Sequence, residues 1–187
     1  MIKHTMKVVQ SDDHTKHRKA DEVGDAQVRT LCLVDLENMA CGATLDKAKV
    51  ARLQQQISIT VGLGDKDQVT IATGRQDALA AWYGWKGSAQ RLMRPGRNGA
   101  DLALLDTIRD HRKIANRYQR VVIASGDHIF ASAVAALKTL GLEVIVVAPP
   151  VGLSKQMRLA AGPDLKPLMF SFAHEIHAVY AQLQEIA

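Results

Sequence analysis

Asp35, Asp101 and Asp127 have matching surroundings in this chain. Asp35 closes the apolar run Thr30 to Val34, and Asp127 follows the run Val121 to Ala124 through the small-residue turn Ser125-Gly126. Asp101 opens a helical stretch. Acids delivered to one cleft repel each other unless a cation holds them. The natural cation for oxygen ligands of this kind is Mg2+ or Mn2+, a hard ion.

Several neighbours have two readings. Each aspartate, taken alone, also suits a helix cap or turn. Glu37, two residues past Asp35, either joins the metal or points to solvent. Asn38 either orients a ligand water or caps a turn. Asp106 is five residues beyond Asp101, about 140° round a helix, and so cannot share its face. It sits among Leu104, Leu105 and Ile108, where an acid without a partner is costly.

Basic residues gather beside the acids. Lys86, Arg91, Arg94 and Arg97 run into Asp101 without an intervening acid, and Arg75 is expected to open onto the same edge. Trp82, Tyr83 and Trp85 lie between them, and Lys155 and Arg158 widen the patch. Positive side chains with nearby aromatics suit a phosphate backbone and stacked bases; a core Trp82 with a solvated loop is the alternative. The formal charge of +5 agrees with an anionic partner. Other chemistries fit less well. No glycine-rich turn follows the first strand, where a nucleotide-binding loop would lie. Ser125 is not in a Gly-x-Ser-x-Gly elbow, and His128 suits a half-buried structural role as well as a general base.

These residues need a scaffold that brings strand ends together. At 187 residues the chain can bury one full core. Strands are expected at Thr30 to Val34, Val69 to Ala72, Ala89 to Met93, Arg120 to Ala124 and Glu143 to Ala148. Helices are expected at Ala43 to Gly62, with Thr44 as cap, then Gln76 to Tyr83, Ala100 to Asn116, Phe130 to Leu140 and Leu153 to Ala161. Phe172, Ile176, Val179, Leu183 and Ile186 step as one face of an amphipathic C-terminal helix. Strands alternating with helices imply a three-layer α/β/α sandwich around a mostly parallel five-stranded sheet. In such sheets ligands bind at the carboxyl edge, at the switch point. If the first and fourth strands are neighbours there, Asp35 and Asp127 stand side by side and Asp101 overhangs them.

The rest of the chain sets limits. Residues 1–29 are polar and mixed in charge, and read as a flexible leader before a single domain at 30–187; Met6 to Val9 alone suits pairing with a sheet edge. Two cysteines outside any metal-type pair suit reduced thiols in the cytoplasm. No apolar run is long enough to cross a bilayer, and no secretory signal is seen. Self-association is left open.

The ordered motifs resemble the NYN domains, a branch of the PIN-like metal-dependent nuclease superfamily. Leu33-Val34-Asp35-Leu36-Glu37-Asn38 is similar to their first motif, and Gly99-Ala100-Asp101-Leu102-Ala103-Leu104-Leu105-Asp106 to their second. Ile123-Ala124-Ser125-Gly126-Asp127-His128-Ile129-Phe130 resembles the third. Leu137 to Val147 and Ser154 to Ala161 are similar as well, so the likeness spans Thr30 to about Leu168 in order. The resemblance implies a PIN-like sheet, Mg2+ or Mn2+ in an acidic cleft, and hydrolysis of RNA. It gives Asp35, Asn38, Asp101, Asp106 and Asp127 motif positions. The family often continues Ser-Gly-Asp-x-Asp-Phe, and here Ile129 takes the second acid's place, which removes a carboxylate unless Glu37 replaces it.

The expectation is therefore a metal-dependent ribonuclease: Asp35, Asp101 and Asp127 hold the ion, with Glu37 in reserve, and Asn38 and Ser125 orient ligands or phosphate. Arg75, Arg94 and Arg97 grip the RNA backbone. An RNA-binding or scaffold protein with a degenerate site is the alternative, and a phosphatase or nucleotide-binding domain the third reading.

Overall fold

The computed structural model describes residues 28–168. The expected C-terminal helix and nearly all of the expected leader lie outside them. Six strands form one sheet: β1 (Thr30–Asp35), β2 (Gln68–Thr73), β3 (Gln90–Met93), β4 (Arg120–Ala124), β5 (Glu143–Ala148) and β6 (Leu165–Pro167). Every pairing is parallel, in the order β3-β2-β1-β4-β5-β6. The order reverses between β1 and β4, which makes their junction the switch point.

The sixth strand adds one to the expected five. It is three residues long, ends in proline and pairs only with β5, too little chain to show a period.

Both faces of the sheet are covered, so its central strands are apolar throughout. Leu31, Leu33, Val121, Ile123, Val144 and Val146 point to one face, with α4 (Gly99–Thr107), α5 (His111–Ala115), α6 (Ala131–Thr139) and α7 (Lys155–Ala161). Cys32, Val34, Val122, Ala124, Ile145 and Val147 point to the other, with α1 (Leu36–Met39), α2 (Lys47–Val61) and α3 (Ala78–Gly84). This alternation of direction along each strand builds the two cores of the sandwich. Cys32 lies deep in the second core, and burial pushes its thiol up to about 12, so it is chemically quiet.

Local chemistry sets the helix ends. Asp46, not Thr44, caps α2 by accepting from the Lys49 amide at 2.8 Å. The single helix expected from Ala100 to Asn116 is two, because Asp110 accepts from the Lys113 amide and restarts the chain as α5. Its apolar period continues through the break, which hides it in the sequence. A 3-10 turn, His128–Phe130, precedes α6. No helix among the described residues is long and apolar enough to cross a membrane.

Candidate acidic site at the carboxyl edge

Asp35 ends β1 at the switch point. Its side chain does two jobs there: Oδ1 accepts from the Asn38 amide at 3.2 Å, which caps α1, and Oδ2 accepts from Ser125 Oγ at 3.1 Å. Ser125 comes directly after β4, so the hydroxyl ties the ends of the two central strands. The same hydroxyl accepts from the Asp127 amide at 3.2 Å. A second tie runs beside it, where Asn38 Oδ1 accepts from the Gly126 amide at 2.7 Å.

The turn is closed from above. Ser154 donates its amide to the Gly126 carbonyl at 2.9 Å. A Cβ on Gly126 would fall 2.7 Å from the Gly152 carbonyl oxygen, so no larger residue fits without moving that loop. Gly126 is a site residue that the acids alone do not reveal; the signal for it was the turn composition of Ser-Gly-Asp.

Asp101 comes to the pair from α4. Asn98 adopts a left-handed backbone (φ 55°) and Gly99 begins the helix, with its amide on the Gly96 carbonyl at 3.0 Å. Gly99 packs so tightly on the Arg94 carbonyl that a Cβ would collide with it. Asp101 stands in the first turn, where a carboxylate complements the helix dipole.

Asp35 and Asp101 are 3% and 7% exposed. Asp101 Oδ1 is buried with no hydrogen-bond donor among the described residues. Burial, and then the neighbouring Asp101 carboxylate, holds the Asp35 carboxyl well above the usual range; the Asn38 amide and Ser125 hydroxyl oppose this. Two buried acids with one donorless oxygen share a need for positive charge. Either a proton on Asp35 or a cation supplies it.

The third aspartate is held differently. Asp127 is 28% exposed, and its Oδ1 accepts from the Ile129 amide at 3.0 Å and lies 2.9 Å from His128 Nδ1. It caps the 3-10 turn. Among the described residues no group of three or more His, Cys, Asp or Glu side chains gathers closely enough to hold a metal ion. The pair still suits one. Mg2+ is commonly held by one or two carboxylates, with water and substrate phosphate filling its other positions.

The other expected site residues each have their own partner or exposure. Glu37 Oε1 accepts from the Gly74 amide at 2.8 Å, which locks α1 to the end of β2 and engages one oxygen of the carboxylate. Asp106 is not among unpartnered leucines: its side chain is 66% exposed and meets Arg94 Nη1 at 3.1 Å. Arg75 and Arg97 are exposed beyond β2 and before α4. Arg91 turns back onto the carbonyls of Trp85, Gly87 and Ala89, so it braces its own loop. Trp85 is buried, whereas Trp82 and Tyr83 are exposed on α3. Ile129 packs against the first core.

Comparison with known proteins agrees with this architecture. A crystal structure of a protein of unknown function from Vibrio parahaemolyticus is similar in fold, with a TM-score of 0.53 at 19% identity. The match covers 79% of this chain and 96% of that one. No curated protein matches. The NYN domain model matches residues 29–163, from before β1 to beyond α7. The chain therefore belongs to the NYN domain family, a family of PIN-like nucleases.

Proposed function

We propose that this protein hydrolyses RNA phosphodiester bonds, using Mg2+ or Mn2+ held by Asp35 and Asp101. The observation that carries the reading is the buried pair with its donorless Asp101 Oδ1. Bound there, a divalent ion would supply positive charge to the scissile phosphate and acidify a water.

The chain's own residues do the rest. Ser125 and the Asn38 amide hold the Asp35 carboxylate in one orientation, so neither oxygen needs to reorganise when charge arrives. Asn38 Oδ1 fixes the Gly126 amide and with it the turn that carries Asp127. Asp127, partly exposed, would accept a proton from a water or join the pair after releasing the Ile129 amide. Arg75 and Arg97 provide exposed guanidiniums for the RNA backbone, and Arg94, paired with Asp106, would join them. Two unpaired thiols suit a reducing compartment such as the cytoplasm.

A second reading, RNA binding without cleavage, draws support from the core packing of Ile129 and from the engagement of Glu37 and Asp127 with backbone amides. An RNA cleavage assay with Mn2+ separates the two. The proposal expects cleavage by the wild type and its loss in Asp35→Asn. Equal cleavage by both proteins, or cleavage by neither, would overturn it.

A further inference from the structure

The opposite edge of the sheet is a second charged surface. Here β1, β2 and β4 begin and α4 gives way to α5, so the residues involved are far apart in the chain. Arg109, Arg112, Lys113, Arg117, Arg29 and Lys66 are all exposed at this pole. None of the six has an ion-pair partner among the described residues; the pairs found there are Arg94–Asp106, Arg120–Asp67, His128–Asp127 and Lys138–Asp164. The local acids are partly committed. Asp110 caps α5, and Asp67 accepts from the amides of Thr30 and Gly64 beside Arg120. Asp65 and Glu143 are exposed at the same end.

Three hollows lie along these cations, the second and third of them adjoining. One of about 630 Å³ is lined by Arg109, His111, Arg112 and Thr139. One of about 170 Å³ lies between Lys113, Arg117, Gln68 and Gln90. A third, about 290 Å³, shares those two glutamines and adds Arg29 and Lys66.

Part of the surface is preorganised. Tyr118 is buried, with its hydroxyl donating to Gln68 Oε1 at 2.6 Å. The guanidinium carbons of Arg29 and Arg117 both lie 5.6 Å from its ring centroid. Arg29 is tied further by its amide, which donates to Gln119 Oε1 at 2.9 Å. Two arginines are thus held on one fixed ring. Arginine in this state loses less freedom when it meets a phosphate, and its planar fork matches phosphate oxygens.

We propose that this pole binds the backbone of single-stranded RNA, as a second anchor for a strand whose other part lies at the acidic edge. The choice of RNA rests on the nuclease reading above; the basic track itself does not. The two edges are separated by the length of a central strand, about 17 Å for five residues. A strand reaching both would be held across one side of the domain. Tyr118 is buried and the track is dominated by cations, so contact is mainly to phosphates, and binding is largely independent of base sequence and sensitive to salt.

The test is binding of a thirty-nucleotide unstructured RNA in EDTA, followed by fluorescence anisotropy over a range of salt. Wild type is compared with Arg109→Gln/Arg112→Gln/Arg117→Gln, after thermal melting shows both are folded; Arg109→Gln/Arg112→Gln, with a slope lower by about 1.4, serves if the triple variant is not. The expected result is about tenfold weaker binding and a salt slope lower by about 2, since each lost single-strand phosphate contact removes about 0.7. Unchanged affinity and slope overturn the proposal. Polyglutamate displacing the RNA as well as RNA itself overturns the nucleic-acid assignment in favour of an acidic protein partner. Patch-dependent binding without cleavage under Mn2+ supports the anchor while removing the nuclease reading. Cleavage with an unchanged slope does the reverse.

Discussion

Ser125 Oγ donates to Asp35 Oδ2 at 3.1 Å, across the junction of the two central strands. The bond joins residues ninety positions apart in the chain at the one place where strand order reverses. It also lies within a short chain of polar contacts, from the Asp127 amide through Ser125 to Asp35 and on to the Asn38 amide. The acidic edge is therefore braced by its neighbours before any ligand arrives.

Removing one brace is expected to cost both stability and rate. Asn38→Ala leaves the Gly126 amide without its acceptor, and an unsatisfied, part-buried donor costs about 1–3 kcal/mol. Ser125→Ala frees Asp35 Oδ2 and is expected to cost about 1 kcal/mol. Urea denaturation measures the first effect. Cleavage at saturating RNA measures the second effect of Asn38→Ala, a fall in kcat larger than the change in KM, because the turn bearing Asp127 loses its anchor.

The Asp35–Asp101 pair makes a pH prediction with a definite sign. Burial and Asp101 raise the folded-state pKa of Asp35 above its unfolded value. The stability contributed by this group is full below the unfolded pKa, about 3.9, and is lost as pH rises through the folded one. In metal-free buffer Asp101→Asn is expected to melt a few degrees higher than wild type near neutral pH, about 1 kcal/mol at this chain length. The difference should shrink as pH falls toward 4. A lower melting temperature for Asp101→Asn at neutral pH would show that the two acids do not strain one another.

Asp106 is expected to behave unlike the buried pair. Its contact with Arg94 is exposed on both sides, and such pairs are worth about 0–1 kcal/mol. Asp106→Asn should leave thermal stability nearly unchanged and raise KM for RNA more than it lowers kcat, by releasing Arg94. A loss of kcat as deep as that of Asp35→Asn would instead place Asp106 in the reacting centre.

The parts of this account that were legible in the sequence share a physical cause. Strands buried on both faces are continuous runs of branched residues, so β1, β4 and β5 stood out, and each was found with its end close to the expected position. The neighbouring of β1 and β4 stands in the sequence only as the condition for Asp35 and Asp127 to meet, and the strand order satisfies that condition. What escaped depended on local competition between partners. The break before α5 comes from one aspartate cap inside an unbroken apolar period. Asp127 and Glu37 have the right type and position for metal ligands, yet each has a backbone amide within reach, and spacing alone does not show which partner wins. Arg91 lies in the same basic run as Arg94 but faces three carbonyls of its own loop.

The central claim is that two buried aspartates form a cation site. Calorimetric titration of Mn2+ into the metal-free protein, for wild type and Asp101→Asn in parallel, tests it most directly. Saturable uptake is predicted for the wild type, with a proton released wherever Asp35 is protonated in the metal-free protein, and no saturable uptake for Asp101→Asn. Equal uptake by both proteins, or none by the wild type, would contradict it.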